Sequence, residues 1–312
     1  MRAAAPERTG RAGAARAERR DAHRGRLRRR ETAMAYGLLA PMLIGVAAFL
    51  LVPIVVLVGL SFMQWDILRP MQWVALDNWT RSLTSPAVWR SIGVTALFVA
   101  LVVPAQIAVG LWLATMLVRN LPGSTVMRTI LVLPWVSAPV VLGIVWRWIF
   151  SWDGVLNTML DERIPWLTSA WLALPVVAFV QAWSQVGYVS LFFMAGLGNI
   201  PDSVIEAARI DGASERRIFW QVKLPLLKPT MFFVAVTGII GAFQSFDLVY
   251  SLSPNGGPGG TTDLVAARIY AQAITHSNVG DAAVLAIILF AVLVAITLAQ
   301  NAYFSRSTTY DR

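Results

Sequence analysis

Six long apolar runs, at about 33–62, 89–118, 128–150, 171–198, 226–250 and 282–304, alternate along the chain with shorter polar segments. Each is long enough to cross a hydrocarbon core, which needs roughly 20 helical residues. The runs contain Pro41, Pro53, Pro104, Pro134, Pro139 and Pro175. Helices embedded in lipid tolerate such prolines because neighbouring helices re-satisfy the freed backbone groups. The pattern predicts an all-α, polytopic membrane protein with six transmembrane helices.

The polar segment 200–229, between the fourth and fifth runs, carries its own pattern. Ser203 and Glu206 match the S-x-x-E capping box and predict a helix starting near Ser203. Gly212 suits the left-handed conformation that ends such a helix, and a second helix is expected from about 213 to 222. Pro225 and Pro229 fit the start of the next span, where a missing N–H does no harm. On the second helix Ile218, Phe219 and Val222 gather on one side, away from Glu215, Arg216 and Arg217. A short amphipathic helix presenting such a side calls for a groove to receive it.

Composition agrees with a bilayer. Apolar residues make up 57% and charged residues 14% of the 312, too little polar surface for a soluble globule, in which about a quarter of residues are charged. The 26 Lys and Arg fall unevenly: eleven in the first 32 residues, two in 119–128, five in 200–229 and two in the C-terminal tail. That bias predicts both termini and the 200–229 segment on the cytoplasmic side. Residues 1–32 read as a solvated tail touching anionic membrane lipid; without interleaved aromatics they give no nucleic-acid signal. The first run far exceeds a signal-peptide core of 7–15 residues and stays as an anchor. A transmembrane region at 33–305 and a short cytoplasmic tail at 306–312 complete the domain plan.

Several chemistries are excluded. There is no cysteine, so disulfides and thiolate metal sites are ruled out. Lys223 and Lys228 are the two lysines, and neither follows a glycine, so the phosphate-cradling G-x-x-x-x-G-K-[ST] loop is missing. The cluster Asn255-Gly256-Gly257-Pro258-Gly259-Gly260 reads as a tight connector. Of the two histidines, His23 and His276, the second stands five residues before Asp281, but no further acid, base or metal ligand accompanies it. The chain is expected to be no enzyme, with no catalytic residue and no metal site.

Glu206-Ala207-Ala208, then Asp211-Gly212-Ala213, then Phe219 and Leu224-Pro225, resembles the cytoplasmic EAA loop of ABC importer permeases. The Asp-Gly-Ala form with its following Leu-Pro is similar to the carbohydrate-uptake branch, the maltose and glycerol-phosphate type. Leu133-Pro134-Trp135, Trp183 with Gly187-Tyr188, and Phe246-Asp247 before the glycine cluster add to the likeness over about 33–305. The resemblance implies an ABC type I importer permease fold in a bacterial inner membrane, with the 200–229 loop as coupling helix. Glu206, Ala207, Ala208, Asp211, Gly212, Ala213, Arg216, Ile218, Phe219, Leu224 and Pro225 are then the ATPase-coupling residues. The implied partners are a second permease subunit, two ABC ATPase subunits that bind ATP and Mg, and an extracytoplasmic solute-binding protein or lipoprotein. The segment 254–281, with a short helix at 263–270, would face that binding protein.

Polar groups inside spans default to functional roles or to bonds between helices; here they are Gln106, Arg147, Gln181, Gln185, Gln244, Ser245 and Asp247. Sugars are recognised by hydrogen bonds to hydroxyls and by aromatic faces. Two clusters offer both, Trp183, Gln185, Gly187, Tyr188 and Phe243, Gln244, Phe246, Asp247, Tyr250, with helix packing and interfacial anchoring as the other reading. Arg147, between Trp146 and Trp148, either binds an anionic group such as a phosphodiester or snorkels to the interface. The expected function is passage of a sugar or sugar-like solute, a glycerophosphate compound included. The alternative is an ion-coupled secondary transporter, which calls for buried carboxylates with a cation site and an inverted repeat.

Overall fold

The computed structural model describes residue 32, residues 34–118 and residues 123–307. The Arg-rich segment before residue 32, His23, part of the 119–128 connection and the end of the C-terminal tail lie outside the described residues.

The chain divides into two units at Gly59. In the first, α1 (Met34–Leu60) is a single apolar helix. A π turn at Ala47–Leu51 lies just before Pro53. Pro53 has no N–H to donate and its ring crowds the carbonyl four residues back, so the turn widens and the helix continues.

The second unit starts with a two-stranded antiparallel ribbon, β1 (Met63–Gln64) against β2 (Gln72–Trp73), a small departure from the all-α expectation. There follow α2 (Asp77–Thr84), α3 (Pro86–Leu117), α4 (Ser124–Val136), α5 (Pro139–Ile149), α6 (Val155–Leu160) and α7 (Ala173–Gly198). Next come α8 (Asp202–Ile210), α9 (Glu215–Leu226), α10 (Lys228–Phe243), α11 (Asp247–Leu252), α12 (Val265–Tyr270) and α13 (Val279–Ser307).

Among the described residues α1, α3, α7 and α13 are each long and apolar enough to cross a membrane. The third run forms a bent pair instead, α4 and α5 meeting at 98°, and α10, which carries the fifth run, meets the preceding α9 at 65°. The first bend has a local cause. Proline disfavours helical geometry in the residue before it, and Ala138 is extended (ψ 123°), as is Ser137 (ψ 148°). The fifth run also ends early, at Phe243, because the chain breaks at Gln244–Ser245 before α11 begins.

α3 and α7 pack along their length, and Gly110 of α3 lies against Val189 and the main chain of Ser190. One apolar cluster gathers Phe98, Val102, Val177, Val180, Phe243, Leu248 and Leu252; a second, nearer α8, gathers Ala114, Val189, Phe193, Leu197, Ile200, Leu227 and Val234. At the end far from α8, Arg81 donates through Nε and a terminal nitrogen to the Asp281 carboxylate at 3.0–3.1 Å. Asn78 donates to the Ser61 and Met63 carbonyls, tying α2 and α13 to the ribbon. Arg268 pairs with Asp263, which also accepts from Ser91 at 2.9 Å. Asp281 is thus engaged by Arg81 and Asn278, and His276 is exposed.

Candidate functional site

Two places concentrate polar chemistry: a chamber where the broken spans meet, and the elbow formed by α8 and α9. The chamber opens at both chain breaks. Its larger part, about 180 Å³, is lined by Trp135, Ser137, Gln181, Ser184, Gln185, Gln244, Ser245 and Asp247. A smaller part, about 80 Å³, continues along Gln106, Gln181, Gln185, Tyr188, Thr237 and Gly238. Gln181 and Gln185 border both.

The α7 contribution is set by helical period. Gln181, Ser184, Gln185 and Tyr188 are spaced i, i+3, i+4, i+7 and therefore share one face. The Tyr188 ring stacks on Trp135 with centroids 4.7 Å apart. Ser245 donates to Gln181 Oε1 at 2.9 Å, pinning the break after α10 to α7. Among the described residues the side chains of Gln106, Gln185, Gln244 and Asp247 have no protein hydrogen-bond partner, although all four open on the chamber. Unpaired amides at membrane depth are costly unless water or a solute bonds to them.

The structure therefore brings Gln185, Tyr188, Gln244, Phe246 and Asp247 together with the span residues Gln106, Gln181 and Ser245. It sets the other expected residues apart. Trp183 faces a separate apolar groove between α3, α4 and α7, and meets Trp146 edge-on at 5.1 Å. At Gly187 the main chain of Leu131 and Val132 lies so close that a Cβ would collide with it, so this glycine permits the approach of α4 to α7. Phe243 is buried in the first apolar cluster, and Arg147 lies in another pocket beyond the chamber. Ser184, Ser137, Trp135 and Thr237 were not expected as chamber residues. For Ser184 the helical spacing from Gln181 was the available signal; for Ser137 it was Pro139, which disfavours helical geometry in the residue before it.

In the elbow, α8 begins at Asp202 with Pro201 in the cap position, not at Ser203, and no side chain closes a capping box. Pro201 (φ −59°, ψ 132°) turns the chain one residue earlier, leaving Ser203 inside the first turn beside Asp202, whose charge favours a helix start. The other end agrees with expectation. Gly212 has φ 77°, its N–H donates to the Arg209 carbonyl, and the Ala213 N–H donates to the Ala208 carbonyl, both at 3.0 Å. These two bonds are the Schellman arrangement.

The second helix is longer than expected and ends at Leu226, with Pro225 inside its last turn. Ser214 caps it, accepting from the Arg217 N–H. A π turn at Phe219–Lys223 precedes Pro225, as one precedes Pro53 in α1. The apolar side faces the chain's own bundle: Ile218 is fully buried, and Phe219 and Val222 are half-buried. No outside groove is needed for Ile218. The surface left open carries Glu206, Ala207, Asp211, Gly212 and Arg216, with Pro225 exposed nearby in sequence and Ala208, Ala213 and Leu224 half-buried. Two large apolar residues that were not expected there are open as well, Ile210 (86% exposed) and Trp220 (58%).

Comparison with known proteins identifies the family and the fold. Residues 106–310 match the family model described as binding-protein-dependent transport system inner membrane component. The sn-glycerol-3-phosphate transport system permease protein UgpA of Brucella abortus is 34% identical, over 89% of this chain and 97% of its own. The probable ABC transporter permease protein YesP of Bacillus subtilis is 33% identical, over 86% of this chain and 90% of its own. The sulfoquinovosyl glycerol transport system permease protein SmoG of Agrobacterium fabrum is 32% identical, over 85% and 88%. In fold the chain is similar to a solved bacterial ABC transporter involved in import of the acidic polysaccharide alginate, with a TM-score of 0.77, 22% identity, and coverage of 90% of this chain and 97% of that one. The chain belongs to the binding-protein-dependent transport system inner membrane components, the permease subunits of ABC importers.

Proposed function

We propose that this permease passes a sugar or sugar-like solute, glycerophosphate compounds included, through the chamber lined by Gln106, Gln181, Gln185, Gln244 and Asp247. The observation that carries the reading is the set of unpaired amides and one carboxylate at a break between spans, beside the stacked Trp135–Tyr188 pair. Amide and carboxylate groups bond to hydroxyls, and aromatic faces stack on sugar C–H surfaces. Relatives named for sn-glycerol-3-phosphate and sulfoquinovosyl glycerol support a polyhydroxylated cargo. Trp183, Gly187 and Phe243 act in this reading by packing the helices that hold the chamber.

The α4–α5 pair counts as one crossing and α10 as another, giving six spans over 33–305, with the elbow, the 1–32 tail and the 306–312 tail on the cytoplasmic side. A second permease subunit closes the other half of the chamber. An extracytoplasmic solute-binding protein delivers the cargo at the far end, near 254–281. Two ATPase subunits bind ATP and Mg and receive the elbow through Glu206, Ala207, Asp211, Gly212 and Arg216, with Ile210 and Trp220 as apolar anchors. ATP-driven closure of that pair carries the elbow with it and turns the chamber outward, which requires the ATPase to bind the two permease states with different free energy.

The test is uptake by the assembled transporter. Gln185→Ala and Gln244→Ala each remove a hydrogen bond to cargo, about 0.5–1.5 kcal/mol, and should raise the apparent KM about 2- to 12-fold. Unchanged uptake in both variants sinks the chamber as the pathway. Uptake that survives Glu206→Lys with Gly212→Pro sinks the elbow as the coupling element.

A further inference from the structure

Beyond the chamber lies a second pocket, of about 420 Å³, between the end of α5 and the connector that follows α11. Its wall includes Arg147, Trp152, Pro165, Trp166 and the main chain around Gly257 and Pro258. Arg147 is exposed there and, among the described residues, has no hydrogen-bond or ion-pair partner. Arg81, Arg268 and Arg90 at this end are engaged by Asp281, Asp263 and the Gly259 carbonyl, whereas Arg163, exposed in the 151–166 loop, is like Arg147 without a hydrogen-bond or ion-pair partner among the described residues but does not line the pocket. Asp153, Asp161 and Glu162 belong to the same 151–166 loop but are exposed and do not line the pocket; Arg163 adjoins the lining Ile164 in sequence.

The pocket is built rather than incidental. Asn157 is buried, and its amide nitrogen donates to the carbonyls of Ser151, Trp152 and Ile164 at 3.1–3.4 Å. Its oxygen accepts from the Ile164 N–H and, at 2.8 Å, from the Trp166 indole. One side chain thus fixes the loop and sets the Trp166 ring beside Phe150, at a centroid separation of 5.9 Å. A guanidinium is charged at every physiological pH, is weakly hydrated, and matches planar or tetrahedral oxyanions with a fork of N–H donors. Indole faces next to it offer a platform for a sugar ring.

The pocket is also placed on the route. α5 and α11 pack together, with Gly143 against Leu248 and Ser251. Leu142 and Leu248 border the chamber, while Arg147 and Leu252 border the pocket. Five helical residues from Leu142 to Arg147 correspond to about 7.5 Å, less than the length of a disaccharide-sized solute.

We propose that this pocket is an anion-accepting subsite on the delivery side of the permease, with Arg147 holding the phosphate, sulfonate or carboxylate of a sugar or polyol that bears one such group. The proposal rests on the chamber reading for its direction of travel, and it narrows the cargo from sugars in general to those that bear one anionic group.

The test is equilibrium binding to the full chain in lipid nanodiscs, followed by tryptophan fluorescence, with glucose 6-phosphate and glucose as probes. The expected result is a preference of about tenfold or more for glucose 6-phosphate, lost in Arg147→Gln and partly kept in Arg147→Lys. Among the described residues Arg147 forms no hydrogen bond or ion pair, so Arg147→Gln should elute and melt like the parent. Arg69→Gln, an arginine that pairs with Asp66 away from the pocket, should retain the preference. Equal binding of the two probes, binding of neither at millimolar concentration, or a preference that survives Arg147→Gln overturns the proposal. If Arg147→Gln loses the preference while Gln185→Ala and Gln244→Ala leave uptake unchanged, the subsite stands and the chamber reading fails.

Discussion

Gly212→Ala changes one atom at the tip of the elbow and isolates the value of its left-handed turn. Gly212 has φ 77°, and a Cβ built there meets nothing within 4 Å. The substitution therefore introduces no clash, and its effect is the cost of holding a residue with a Cβ in the left-handed region, about 1–2 kcal/mol. If the tip relaxes, the bonds from the Gly212 and Ala213 N–H groups to Arg209 and Ala208 are lost. An ATPase subunit that seats only the formed elbow must restore that geometry on binding. Its Kd for the permease should rise by about 5- to 30-fold, since 1.4 kcal/mol is a factor of ten. Asparagine tolerates the left-handed region and should weaken binding less than alanine, whereas valine, branched at Cβ, should weaken it more. The assay is titration of the purified ATPase subunit onto the chain in nanodiscs. An order of Asn, Ala and Val that does not follow backbone preference, or no change with alanine, refutes the argument. Glu215→Gln is the control: it removes the Arg209–Glu215 pair, whose side chains are 55% and 62% exposed, so a change of about 1 kcal/mol or less is expected.

Two further outcomes follow from packing. Asn157→Ala strips the 151–166 loop of all five hydrogen bonds of its clamp. It should destabilise the chain by about 2–3 kcal/mol and red-shift the Trp166 fluorescence; an unchanged emission would show that the clamp does not hold the ring. Gly187→Ala drives a Cβ into the Leu131 main chain and should cost about 1–3 kcal/mol in thermal unfolding, whereas Gly198→Ala, with nothing within 4 Å, should be neutral; equal melting of the two would remove the claim of close α4–α7 contact.

Much of the elbow was legible because its signals are local. A glycine between two short helical patterns predicts a left-handed cap whatever lies around it, and Gly212 is one. The direction of the apolar side was not legible. Ile218, Phe219 and Val222 mark a face that must be covered, but a pattern along one helix does not say by what. The chain's own bundle covers Ile218, leaving Ile210 and Trp220 open. The chamber was legible in part. Gln181, Gln185, Gln244, Ser245 and Asp247 were apparent as polar residues in apolar runs, yet grouping by nearness in sequence put Trp183 and Gly187 with Gln185, although they point to another side of α7.

What the sequence by itself determined is the membrane class, the existence of each apolar run and the glycine-capped turn at Gly212, because length, hydropathy and turn chemistry act within a few residues. What the tertiary structure decided is whether a proline's local restraint becomes a break, and what the breaks enclose. Pro104 and Pro134 sit inside α3 and α4, whereas Pro139 starts a new helix after a 98° bend. A proline removes one N–H and restrains its neighbour wherever it stands; whether the helix carries on depends on what can pack against each arm. After Pro139 the new helix packs through Gly143 against Leu248 and Ser251 of α11. That contact, between residues more than a hundred positions apart, holds the polar chamber on one side and Arg147 with its pocket on the other.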